Sequence, residues 1–94
     1  MDRAGIQILE PSPGAQVGPR FTAEVDKVDR AGNLTHHAFV NGNEVATASG
    51  ESSTIALDLS DVSPGPITLR IEARGSGGRI YAADLVELVL VADR

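Results

Sequence analysis

Hydrophobic residues recur at every second position along nearly the whole chain. In residues 67–74, Ile67, Leu69, Ile71 and Ala73 alternate with Thr68, Arg70, Glu72 and Arg74. Successive side chains on an extended strand point to opposite faces, so this segment has one buried and one wet face. Residues 20–28 repeat the pattern, with Phe21, Ala23 and Val25 set against Thr22, Glu24 and Asp26. Residues 54–60 place Ile55, Leu57 and Leu59 together. Further extended segments are expected at 5–9, 34–41, 44–49 and 79–91, which makes seven strands. No segment shows the spacing of three and four that a helical stripe requires.

Proline and glycine mark the breaks. Residues 10–18 contain Pro11 and Pro13, which cannot donate to a ladder, so this segment is no central strand. Residues 29–33 read as a turn, 61–66 as a loop around Pro64-Gly65-Pro66, and 75–78 as a flexible glycine turn. Between 34–41 and 44–49 lies Asn41-Gly42-Asn43. Asn and Gly tolerate positive φ, which a tight hairpin demands, so the two segments form a β-hairpin. Strands this frequent, with no helices between them, must cover each other. Two sheets packed face to face follow.

Composition narrows the possibilities. The chain has 94 residues, the size of one domain, with 41% apolar and 22% charged residues. Its aromatic residues are Phe21, Phe39 and Tyr81, so the core is built from Val, Ile, Leu and Ala. There is no cysteine, hence no disulfide and no thiolate chemistry. A formal net charge of −5 argues against nucleic-acid binding, which rests on a basic surface. The apolar run near the N-terminus is too short for a signal peptide, and residues 85–92 are too short to span a bilayer, so no membrane insertion is expected.

Three segments resemble the bacterial Ig-like domains that recur in secreted and surface proteins. The first, "PSPGAQV", contains Pro11, Gly14 and Val17 and looks like that family's bend after the first strand. "FVNGNEVATASG" is similar to its central hairpin. "LSDVSPGPITLRIEARGSGG", with Gly65, Leu69, Ile71 and Ala73, resembles its later glycine-led strand. The resemblance implies an all-β, Ig-like β-sandwich of about seven antiparallel strands in two packed sheets, one domain over 1–94, cut from a larger protein. It departs from the family at Gly75, where an Asp is common, and an apolar central-strand position falls on His36. The cysteine pair, core tryptophan and tyrosine corner of antibody-type domains are missing.

The adjacent pair His36-His37 invites a metal reading. Neighbours on a strand face opposite ways, so His36 is expected inside at the mouth of the core and His37 outside. No further ligands are nominated by spacing, and no metal or other cofactor is expected. Asp26, Asp29, Asp58 and Asp61 sit at strand ends and turns, where Asp bonds to nearby backbone; "DKVDRAGN" lacks the register of a calcium loop. No serine has nucleophile-elbow context, and "GSGG" lacks the Lys and helix of a phosphate loop. Asn33 begins a glycosylation-type triplet, a short pattern that arises readily by chance.

The final strand breaks the rule of one wet face. Val86, Leu88 and Leu90 share one side, while Leu85, Val89 and Val91 share the other, interrupted by Glu87. Phe39 also points outward if Val40 points in. Phe39, Leu85 and Val89 are therefore the candidate interaction surface, unless loops, the N-terminal segment or a bulge cover them. The expected role is that of a non-catalytic spacer or protein–protein interaction module in a secreted or surface-attached bacterial protein. Its partners would be neighbouring domains, another protein or a second copy. The alternative is a carbohydrate-binding accessory module of a polysaccharide-degrading enzyme, which the scarcity of aromatic rings disfavours.

Overall fold

The structure, a computed structural model, describes residues 5–28, 35–49, 54–75 and 77–92. Its strands are β1 (Gly5–Glu10), β2 (Gln16–Val17), β3 (Arg20–Val28), β4 (Thr35–Val40), β5 (Asn43–Ser49), β6 (Thr54–Asp58), β7 (Gly65–Arg74) and β8 (Ile80–Leu90). They form a three-stranded sheet, β1-β3-β6, packed on a five-stranded sheet, β2-β8-β7-β4-β5. The all-β, two-layer arrangement is the one the alternation requires.

Several details differ from the expectation. There are eight strands among the described residues, the extra one lying within residues 10–18. That strand runs parallel to β8, with Gln16 opposite Val89 and Val17 opposite Leu90, so the pairing is not wholly antiparallel. It lies at the sheet edge, so residues 10–18 supply no central strand. The N-terminal segment thus starts in one sheet as β1 and finishes in the other as β2. The second difference is at Pro64-Gly65-Pro66, expected to be loop throughout. Gly65 and Pro66 instead open β7, opposite Leu90 and Val89. Proline is tolerated at the start of a strand, where one ladder donor fewer can be accommodated.

The core lies between the sheets and is aliphatic. Ala23, Val25, Ile55 and Leu57 from the small sheet meet Val40, Leu69, Ile71, Val86 and Leu88 from the large one. These are the inward positions of the period-two pattern. Burial of each such Val, Leu or Ile contributes roughly 1.5–3 kcal/mol. His36 is also inside, with 1% of its surface exposed, deeper than the core mouth expected for it.

The β4–β5 connection is the tight hairpin expected, closed by Asn41 and Gly42 at φ 54° and 90°. Asn43 is not part of the loop; it already pairs with Val40. Asn41 further joins β7: its Oδ1 accepts from the Thr68 amide at 3.0 Å, and its own amide donates to the Thr68 carbonyl at 3.0 Å. Residues 29–33 and Asn33 lie outside the described residues.

Candidate interaction surface

The outer face of the five-stranded sheet carries the residues nominated by the sequence. Antiparallel register sets them in rows, because directly opposed residues share a face. Glu44, Phe39, Arg70 and Leu85 form one row across β5, β4, β7 and β8. Thr68 opposes Glu87, and Pro66 opposes Val89. Phe39, Leu85 and Val89 therefore lie on one face, as the alternation implies. They are not side by side: β7 puts Arg70 between Phe39 and Leu85, and Glu87 separates Leu85 from Val89. Leu85 is 53% exposed, whereas Phe39 and Val89 are half-buried.

The half-burial of Phe39 has a definite cause. The guanidinium carbon of Arg74 lies 5.4 Å from the centre of its ring, within cation–π range. Arg74 is held there by Glu72. Its Nε and one terminal nitrogen donate to Glu72 Oε1 at 2.8 and 2.6 Å, while Arg70 Nε donates to Glu72 Oε2 at 2.8 Å. Arg70, Glu72 and Arg74 alternate along β7, so all three project outward and the flanking arginines close over the carboxylate. Glu72 is 7% exposed although it points away from the core. The hydrogen bond from Arg70 holds its carboxyl below the usual glutamate range; burial opposes this, and Arg74 reinforces it.

Beside this clasp, His37 Nδ1 donates to Glu44 Oε2 at 2.8 Å. His37 and His36 do face opposite ways, the latter into the core. Among the described residues no three His, Cys, Asp or Glu side chains come together as metal ligands would. Asp29 lies outside the described residues. Asp58 is at a turn, where its Oδ1 accepts from the Ser60 amide at 3.0 Å. Hydrogen bonds from Ser60 lower its pKa, with a smaller contribution from Arg20. An open hollow of about 390 Å³ lies along Arg20, Phe21, Thr22, Ala56, Leu57 and Asp58. Its charged groups are the solvent-exposed Arg20–Asp58 pair, 3.7 Å apart, and no set of polar groups converges in it.

Sequence reasoning missed the Arg70–Glu72–Arg74 clasp. The signal was present, as opposite charges at alternate positions of one strand. It also missed Asp84, which faces inward from β8 and whose Oδ2 accepts from the Ile8 amide at 2.9 Å.

No protein-family model matches the chain, and no curated protein matches it. Solved structures do. The fold is similar to the fibronectin(III)-like modules of CbhA from Clostridium thermocellum, with a TM-score of 0.73 and 12% identity over 95% of this chain and 99% of that one. It is also similar to an endo-β-1,4-mannanase from Thermotoga petrophila, with a TM-score of 0.72 and 12% identity, covering 99% of this chain and 21% of the mannanase. A lytic polysaccharide monooxygenase from Jonesia denitrificans aligns at a TM-score of 0.63 and 15% identity, over 86% of this chain and 60% of that one. At such identities the likeness is one of architecture: a β-sandwich of the fibronectin(III) and Ig-like kind.

Proposed function

We propose that the chain is a non-catalytic Ig-like module, a spacer or protein–protein interaction domain of a larger secreted or surface-attached bacterial protein. The observation that carries this reading is the end-to-end likeness to fibronectin(III)-like modules. The mechanism is mechanical. A stiff two-sheet body holds neighbouring domains apart, and the outer face bearing Phe39, Leu85 and Val89 serves for docking.

Carbohydrate binding is the competing reading, favoured by the likeness to a mannanase and a polysaccharide monooxygenase. Sugar rings are commonly held by stacking on an open aromatic face, and Arg74 already lies over the Phe39 ring. Native affinity electrophoresis of the chain through gels containing soluble mannan, xylan or a cellulose derivative separates the two. Unaltered mobility is expected; retardation in any of the gels would replace the spacer reading with the carbohydrate one.

A further inference from the structure

We infer that the outer face of the five-stranded sheet binds a second copy of the chain, the two sheets crossing at right angles on a two-fold axis at Leu85. This rests on the reading of that face as a docking surface and names its occupant.

The argument begins with Leu85, an exposed leucine bordered by two unlike charges. Arg70 is its register partner on β7, and Glu87 lies two residues along β8 on the same face. Neighbouring strands are about 4.8 Å apart and alternate residues of a strand about 6.8 Å apart. Seen from Leu85, the cation and the anion therefore stand at similar distances in perpendicular directions. Two copies can be stacked face to face about one diagonal in-plane axis through Leu85. That operation exchanges the two directions, so Arg70 of each copy falls over Glu87 of the other.

Other stackings lack this match. With strands aligned, either Glu87 meets its own copy or Arg70 does, and like charges in contact repel. The crossed arrangement also buries the apolar remainder. Leu85 packs on its symmetry mate, and Phe39 arrives between Glu87 and Val89 of the other copy. Orthogonal sheet packing is an established way for two such faces to meet, and a two-fold contact requires this kind of self-complementarity. Arg70 can serve both roles, because it holds Glu72 through its Nε while its side chain is 45% exposed.

Sedimentation velocity over a concentration series tests the contact. The natural chain is expected to form a dimer that weakens as salt is raised. Glu87→Lys, an exposed change that leaves the core intact, is expected to raise the dissociation constant at least about tenfold, since two reciprocal pairs are lost. Leu85→Lys is expected to abolish the dimer, with melting temperature confirming that both variants remain folded. The chain has no cysteine, so Leu85→Cys is a clean probe. Facing sheets stand about 10 Å apart, too far for a direct disulfide, so a short bis-maleimide cross-linker is expected to join two copies of this variant, whereas Ala56→Cys, on the opposite outer face, is not joined. A natural chain that stays monomeric to millimolar concentration overturns the inference, as does a dimer that survives both lysine variants. Loss with Leu85→Lys and no response to Glu87→Lys overturns the crossed geometry. A monomeric result leaves the spacer reading standing, because polysaccharide retention tests that separately.

Discussion

Arg74 covers Phe39: the guanidinium carbon stands 5.4 Å from the ring centre, and the same guanidinium is tied to Glu72. The Phe39 ring is therefore fixed and half-shielded by the strand beside it. Cation–π contacts at partly exposed sites contribute about 0.5–1 kcal/mol, so the clasp on β7 holds β4 from outside the core.

The clasp should make stability depend on pH. Glu72 has a folded-state pKa below its ordinary value. A group of this kind adds stability above its unfolded pKa and loses it as pH falls through the folded one. Glu72→Gln is expected to cost about 1–2 kcal/mol at pH 7, discounted because both arginines are partly solvated. The melting-temperature gap between the natural chain and the variant should stay constant above the usual glutamate range and close below it. A gap that widens on acidification would contradict this.

Asn41 and Gly42 close the hairpin in left-handed conformation, and Asn41 also bonds to Thr68. Gly42→Ala adds a side chain where φ is positive and is expected to cost about 1 kcal/mol. Asn41→Gly keeps the turn but removes the acceptor for the Thr68 amide, a similar loss. Denaturant titration measures both. Faster hydrogen exchange at Thr68 should appear in the Asn41→Gly variant alone.

Asp84 ties the two sheets together through the Ile8 amide. Asp84→Ala leaves that part-buried donor without its acceptor and is expected to cost about 1–3 kcal/mol. In a domain of this size that corresponds to a melting temperature lower by roughly 4 °C or more. Amide exchange at Ile8 should rise with it, and unchanged protection there would refute the role given to Asp84.

Leu69 and Ile71 have no exposed surface. Truncating either to alanine opens a cavity between the sheets and is expected to cost about 2–5 kcal/mol. Leu85→Ala, on the outer face of the neighbouring strand, should stay within about 0.5 kcal/mol in dilute solution. Equilibrium unfolding of the three variants measures the contrast between the two faces.

Zinc or nickel at equimolar level should leave the melting temperature unchanged. His36 is sealed in the core while His37 faces out and bonds to Glu44. A rise of several degrees would show a ligand set that the described residues do not form.

Much of this architecture is legible along the chain. The alternation of Ile67, Leu69, Ile71 and Ala73 with polar neighbours assigns a face to every residue of β7, because pleating leaves no other choice. Asn41-Gly42 names its own turn through the φ values it tolerates. By the same rule Arg70, Glu72 and Arg74 share the outer face, so their clasp was within reach of sequence reasoning. Asp84 was not, since its partner lies 76 residues away.

Local chemistry thus determined the strands, their wet and dry sides and the hairpin, all of which depend on neighbours within a few positions. Tertiary structure alone decided which strands beyond that hairpin lie edge to edge. It set Arg70 between Phe39 and Leu85, and it carried Gln16–Val17 across to run parallel with β8. Those placements depend on how two twisted sheets close over one core, an energy shared among residues distant in the chain.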